Sequence, residues 1–319
     1  MKKDSKIYVA GHRGLVGSAL VRNLVAKGYN NLVLRTHAEL ELHDQAAVQN
    51  FFAAEKPEYV ILAAAKVGGI YANNAYPAEF IYDNLIIQTN VIHSAWQNTV
   101  TGLLFLGSSC IYPKECPQPM KEEYLMSGIL EPTNRPYALA KIAGIEMCHA
   151  YNRQYGTKYL AVMPTNLYGP GDNYDLNNSH VLPALLRKVH EAKMQNKSEV
   201  VVWGSGAPKR EFLYSDEMAD ACVYLLEHIE KGLPDLFNDV RPPLVNIGYG
   251  EDLTIRELAE TITDVVGYKG KLVFDTSKPD GTMRKLLDVS RMQSLGWKAS
   301  TSLRKGIAMT YQSYLDTLK

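Results

Sequence analysis

The chain has 319 residues, 46% of them hydrophobic and 21% charged, with 34 Lys and Arg balanced by 34 Asp and Glu. This is ordinary globular usage, which argues against wholesale disorder, and the length suggests about two domains. The zero balance lacks the basic excess of a nucleic-acid binder, and no apolar run approaches the ~18–20 residues that span a bilayer.

In chain order, short apolar strands are expected at Ile7–Ala10, Leu32–Leu34, Tyr59–Ala63, Leu103–Leu106 and Tyr159–Met163. Helical patterns lie between them: Gln45–Ala54 behind a candidate cap at Asp44, a stretch opened by Pro77 and running to Gln97, and one opened by Pro136 and running to Tyr155. Regular βαβ alternation predicts an α/β fold with a Rossmann-type, doubly wound parallel sheet. Beyond Pro164 the stretch Asn166–Asn178 reads as loop. Strands are expected again at Val200–Trp203, Leu244–Ile247 and Leu272–Phe274, and helices at Arg256–Val266 and Ser302–Leu315. The expected division is 1–165 and a smaller α/β domain, 166–319, with later segments rejoining the first sheet. Cys110, Cys116, Cys148 and Cys222 lack CxxC spacing, so neither zinc nor a disulfide framework is expected, and no other metal site is evident. Lys2-Lys3 precedes an apolar stretch too short for a signal peptide, so the expected location is cytoplasmic.

Gly11, Gly14 and Gly17 fall at the first strand-to-helix turn. Gly11 permits the tight turn, Gly14 lets backbone approach a pyrophosphate, and Gly17 allows close helix–strand packing. The helix N-terminus adds unpaired N–H groups. A glycine triplet alone also suits a simple tight turn, but its place between strand and helix favours a dinucleotide. The second strand ends in Leu34-Arg35-Thr36-His37, with no carboxylate before Glu39, and Arg13 lies inside the glycine turn. Two cations without an acid suit a 2′-phosphate, so the predicted cofactor is NADP(H); the lesser alternative is that Arg35 merely snorkels into solvent.

Tyr137 and Lys141 stand at i,i+4, on one helix face. An adjacent ammonium favours phenolate, which would bring the Tyr137 pKa down and make it a proton donor to a carbonyl receiving hydride. Ser108 follows the fourth strand, at the carboxyl edge where ligands of open α/β sheets gather.

Together these motifs resemble the extended short-chain dehydrogenase/reductase family over nearly the whole chain. The resemblance assigns Ser108, Tyr137 and Lys141 as its catalytic Ser, Tyr and Lys, and Asn84 as its structural Asn. Trp203-Gly204-Ser205-Gly206 with Lys209-Arg210, and Pro279-Asp280-Gly281-Thr282-Met283-Arg284-Lys285, resemble its sugar-nucleotide branch. An Arg after a Gly-rich turn can fork a diphosphate, although the string alone also suits a β-turn with a solvated cation. The strings Leu106-Gly107-Ser108-Ser109-Cys110-Ile111-Tyr112 and Asn178-Ser179-His180-Val181 narrow the likeness to enzymes that epimerise at C3 and C5 and reduce at C4 GDP-4-keto-6-deoxy-D-mannose.

That likeness implies Cys110 and His180 as the epimerisation acid/base pair, and Lys188, Trp203, Arg210 and Asp280 as GDP-sugar contacts. It implies cofactor contacts at Gly11, Arg13, Gly14, Leu15, Val16, Gly17, Arg35, Ala64, Lys141, Pro164, Asn166, Leu167 and His180. The family pattern has Arg at the position of His37, which leaves NADPH preference resting on Arg13 and Arg35. Family precedent also implies a homodimer through the helices Phe80–Gln97 and Ala138–Tyr155. Carbons beside a 4-keto group lose protons readily because the carbanion delocalises as enolate, so inversion needs an acid and a base on opposite faces of the ring. Cys and His both titrate near neutral pH. Cys110, two residues after Ser108, would share its face if the strand continued. The alternative reading is a nucleotide-sugar epimerase or dehydratase that recycles bound cofactor; a dehydratase would place Thr and an acid where Ser108-Ser109-Cys110 stands. A non-catalytic NADP sensor would have no need of Tyr137 and Lys141.

Overall fold

Alternate residues of the first strand join different cores. Tyr8 and Ala10 pack into one apolar cluster with Val60, Leu62, Leu103 and Phe105, while Ile7 and Val9 pack into another with Tyr59, Ile61 and Leu104. A strand buried on both faces implies helices above and below it. This is the arrangement found in the computed structural model, which describes all residues except 177–178, 231–232, 234–235 and 279 and the side chains of 70 and 71. Asn178 and Pro279 of the quoted motifs thus lie outside the described residues.

The strands, in chain order, are β1 Ile7–Ala10, β2 Leu32–Val33, β3 Tyr59–Leu62, β4 Gly102–Leu106, β5 Tyr159–Pro164, β6 Asn166–Tyr168, β7 Glu199–Trp203, β8 Lys209–Tyr214, β9 Leu244–Ile247, β10 Asp252–Thr254, β11 Lys271–Asp275 and β12 Arg284–Lys285. The helices are α1 Leu15–Ala26, α2 Gln45–Glu55, α3 Ile70–Ala75, α4 Pro77–Gln97, α5 Arg135–Tyr155, α6 Val181–Met194, α7 Ser215–His228, α8 Ile255–Val266, α9 Ser290–Ser294 and α10 Leu303–Asp316.

Six parallel strands form the main sheet in the order β2-β1-β3-β4-β5-β9. Helices α1 and α7 pack together on one face, and α2, α4 and α5 on the other. Local chemistry sets the helix ends. Asp44 accepts the Ala47 N–H at 3.0 Å, Pro77 and Pro136 occupy first-turn positions, and Gly156 closes α5 at φ +68°. Thr254 and Glu257 cap α8 reciprocally.

The second half holds a smaller sheet in which β8 pairs β10 and β12 along its first residues and β6 along its last. Strands β7 and β11 form a separate parallel pair. Asn166–Tyr168, read from sequence as loop, is therefore a strand, because Asn166 finds Phe212 across the fold. The fully buried Glu211 knits the halves together. Its carboxylate accepts N–H groups of Gly250 (2.7 Å) and Leu287 (3.1 Å), while its backbone carbonyl accepts from Thr165 and Asn166. Among the described residues no helix is long and apolar enough to cross a membrane.

Candidate active site

The carboxyl ends of β1, β3, β4 and β5 open into a cavity of about 820 Å3. Its wall includes Gly11, Arg13, Gly14, Leu15, Val16, Gly17, Arg35, Ala64, Lys141, Pro164, Asn166, Leu167 and His180, together with Ser108 and Tyr137. Every residue that the family resemblance gave to the cofactor is thus on one surface.

The glycines occupy positions that no side chain could share. Gly11 sits at φ +83°, and a Cβ there would meet the Ala64 nitrogen at 2.7 Å. A Cβ on Gly17 would lie 2.0 Å from the Gly11 oxygen. A Cβ on Gly14 would meet only that same oxygen, at 3.5 Å, so its backbone stays approachable. No side chain caps α1, which leaves its first-turn N–H groups available to an anion. These features fit a dinucleotide pyrophosphate.

The cations beside them are unequal. Arg13 is exposed and makes no hydrogen bond or ion pair among the described residues, whereas the Arg35 guanidinium pairs with Glu55 and donates to the Leu34 carbonyl. Arg13 is therefore the freer of the two for a 2′-phosphate. His37 and His43 bond opposite oxygens of Glu41, at 2.8 and 2.6 Å. Their donor atoms are close enough together for a metal ion, but the three groups already satisfy one another.

Three side chains meet at the end of β4. Lys141 is 3% exposed and donates to the Leu106 carbonyl at 2.8 Å; burial draws its pKa down to about 8. Tyr137 departs from the sequence expectation. Burial raises its pKa, a hydrogen bond with Ser108 only partly offsets this, and the Lys141 ammonium lies 5.8 Å from the ring centre, engaged with Leu106. Tyr137 is accordingly a phenol at neutral pH, the form that donates a proton. Asn84 donates to the carbonyls of Lys66 and Phe80, at 3.0 and 2.7 Å, fixing the loop after β3 that forms one wall.

Cys110 also reaches this cluster, by a different route from the one expected. The strand stops at Leu106, and Ser109–Ile111 form one 3₁₀ turn capped by Ser108, whose Oγ accepts the Cys110 N–H at 3.4 Å. The shared-face argument fails, but the turn delivers the thiol to Ser108 all the same. Cys110 is 8% exposed; burial raises its pKa, while Ser108, Lys285 and Lys141 pull it down. His180 stands at the N-cap of α6 on the cavity wall, where one side of it is open to solvent and the protein packed around the rest lowers its pKa, favouring neutral imidazole.

The four residues that the resemblance gave to the sugar nucleotide are not among those lining the cavity; Lys188 is carried by α6, Trp203 by β7, Arg210 by β8 and Asp280 by the loop before β12. Lys188 stands over the Trp203 ring at 4.9 Å, and Lys278 at 5.7 Å. Asp280 accepts the Ser205 N–H at 2.7 Å and the Ser205 hydroxyl at 2.8 Å, so its carboxylate pins the Gly-rich turn. Arg210 lies against Gly281, and among the described residues its one hydrogen bond is to the Lys209 carbonyl. Sequence reasoning missed Glu211, the residue after the quoted Lys209-Arg210; nothing local to that string distinguishes it from a surface charge.

Residues 7–248 match the family described as NAD dependent epimerase/dehydratase. The chain belongs to that family. Among curated epimerase/dehydratase relatives, GDP-L-fucose synthase 1 of Arabidopsis thaliana is 60% identical over 316 residues, covering 99% of this chain and 95% of that protein. GDP-L-fucose synthase of Escherichia coli (strain K12) is 59% identical over 313 residues, covering 98% and 97%. Similar solved structures include an NADP-bound GDP-mannoheptose C4 reductase from Campylobacter jejuni, with a TM-score of 0.91, 46% identity and 99% of both chains covered. An NADP-bound GDP-L-fucose synthetase from Naegleria fowleri superposes with a TM-score of 0.89 at 30% identity, covering 100% of this chain and 95% of that one.

Proposed function

We propose that this protein epimerises GDP-4-keto-6-deoxy-D-mannose at C3 and C5 and reduces it at C4 with NADPH, giving GDP-L-fucose. The observation that carries this reading is the seating of Cys110 against Ser108, Tyr137 and Lys141. A reductase needs only the last three; a thiol beside them serves proton exchange at carbons next to the keto group. The relatives named GDP-L-fucose synthase support the same substrate.

Residues 1–165 with β9 form the cofactor half in this reading, and the remainder chiefly the GDP-sugar half. The glycine turn and first-turn N–H groups of α1 would hold the pyrophosphate, and Arg13 with Arg35 the 2′-phosphate. When bound, NADPH supplies hydride to C4. Ser108 and Tyr137 hydrogen-bond the C4 oxygen, stabilising the enolate while Cys110 and His180 remove and return protons on opposite ring faces. Tyr137 then gives its proton to the C4 oxygen as the alkoxide forms. The buried Lys141 keeps that corner positive below about pH 8. Outside the cavity lining, Arg210 and Lys188 would meet the diphosphate, Trp203 would offer a ring, and Asp280 would accept ribose hydroxyls on release from Ser205.

Two copies would pair through α4 and α5, which expose Tyr82, Leu139 and Tyr155. The four free cysteines fit a reducing, cytoplasmic setting.

Following NADPH absorbance during turnover of GDP-4-keto-6-deoxy-D-mannose tests the function. One equivalent oxidised per GDP-L-fucose formed is expected; an isomerised keto-sugar formed without NADPH loss would instead establish an epimerase that leaves its cofactor unconsumed.

A further inference from the structure

Trp203 ends β7 and is 63% exposed, so a large aromatic ring stands open to solvent. Two ammonium groups approach that ring, Lys188 at 4.9 Å from its centre and Lys278 at 5.7 Å. Neither ammonium makes a hydrogen bond or ion pair among the described residues, which leaves the N–H donors of both free. They come from different elements. Lys188 is carried by α6, whose cap His180 lies on the cavity wall, whereas Lys278 belongs to the loop between β11 and β12. That loop is fastened at both ends to the segment carrying Trp203. Asp275 stands opposite Trp203 in the β11–β7 register, and its carbonyl accepts the Gly204 N–H at 2.9 Å and the Lys278 N–H at 3.2 Å. Its carboxylate accepts the Ser277 N–H at 3.0 Å and the Ser277 hydroxyl at 2.6 Å. Asp280 closes the other end on Ser205. Gly204 makes room for this closure, since a Cβ there would fall 2.4 Å from the Asp280 carboxylate. Backbone stitching, and not only the attraction of a cation to a ring, therefore sets Lys278 beside the indole.

An open aromatic face edged by free N–H donors suits a nucleobase. The ring can stack any base, whereas the donors choose among bases by the acceptors on their edges. Guanine presents two acceptors side by side, O6 and N7; adenine puts an amino donor where guanine has O6. Lys278 also stands two residues before Asp280, the carboxylate assigned above to ribose hydroxyls, so base and ribose would be met by one segment. We propose that Lys278 is a specificity-determining residue for the nucleotide, donating to O6 and N7 of a guanine stacked on Trp203. The proposal rests on the GDP-sugar reading given above and deepens it. Contact between a cation and an exposed ring is weak, so the ammonium passes from the indole to the edge of the base as the base stacks.

The test measures dissociation constants of GDP, 7-deaza-GDP and ADP by calorimetry. It uses full chains of wild type, Lys278→Met, Lys278→Arg and Trp203→Ala whose NADPH binding is verified. Wild type should bind GDP about 10–100-fold more tightly than ADP, with 7-deaza-GDP, which lacks the N7 acceptor, in between. Lys278→Met should weaken GDP about tenfold and leave ADP unchanged. Lys278→Arg should keep the preference, because its fork also matches O6 and N7. Trp203→Ala should weaken GDP and ADP alike, by about 10–100-fold, because stacking is indifferent to the base. Equal losses of GDP and ADP in Lys278→Met would make it a diphosphate contact and overturn the proposal, as would no loss of either. A wild type that binds NADPH but not GDP would overturn the GDP-sugar reading itself, and the role of Lys278 with it.

Discussion

The two halves of the active site are built from different materials. The cofactor half uses backbone: a glycine turn with no room for side chains, uncapped N–H groups, and strands such as β1 and β3 buried along their whole length. The proposed sugar half uses side-chain ends, Lys188 on α6, Arg210 on β8 and Asp280 in the loop before β12, beside strands of alternating burial such as β7. Backbone sites are rigid and depend on shape. Side-chain sites depend on charge, and a member such as Arg210, which donates only to its neighbour's carbonyl among the described residues, can be removed without disturbing the fold.

The sharpest challenge to this contrast is Gly17→Ala. With its Cβ forced against the Gly11 carbonyl, it should lose about 3 kcal/mol of stability and on the order of 100-fold in NADPH affinity, by thermal melts and fluorescence titration. Gly14→Ala, which meets nothing closer than 3.5 Å, should keep the wild-type melt. Equal melts for the two variants would break the argument that packing distinguishes them. At the junction of the halves, Tyr137→Phe removes a proton and little volume. Reduction should fall by about 10²–10⁴-fold while solvent-deuterium exchange into the sugar continues. Arg210→Ala should raise the KM for the GDP-sugar by about 10–100-fold and leave both NADPH affinity and the melt unchanged; a lower melting temperature would mean that this side chain too is structural.

The smallest effect concerns Asp172, in the loop after β6. Its Oδ2 is buried without a partner, and burial lifts its pKa to about 7. The folded chain therefore holds this proton more tightly than the unfolded chain, so stability from this group is full below the unfolded carboxylate pKa and is lost as pH rises toward about 7. Asp172→Asn should be more stable than wild type at pH 8 by about 1–2 kcal/mol and indistinguishable from it near pH 4. Denaturant melts at the two pH values check the sign.

What sequence made legible divides along the same line. Periodicity and the glycine spacing are local, so β1, α2, α4, α5 and the cofactor turn could be read directly, as could the Tyr137–Lys141 pair. Long-range pairing is not local. Asn166–Tyr168 carries loop-like residues and becomes a strand only because β8 lies beside it. Cys110 was placed by extending a strand that in fact ends at Leu106. The Tyr137 shift depends on burial and on where the Lys141 ammonium goes, and spacing reports neither. Glu211 acquires meaning only when Gly250 and Leu287, distant in sequence, donate to its buried carboxylate.

The sixth strand of the main sheet, β9, has a consequence for how the chain is made. It completes the sheet against β5 in the register Ala161↔Leu244 to Pro164↔Ile247, yet it is synthesised only after α7. Until then a nascent chain bears β5 as an open edge, with bare N–H and C=O groups that can recruit another strand. A ribosome that paused between the halves would expose a sticky seam. The boundary that divides the chemistry so neatly is therefore a poor place to cut the polypeptide.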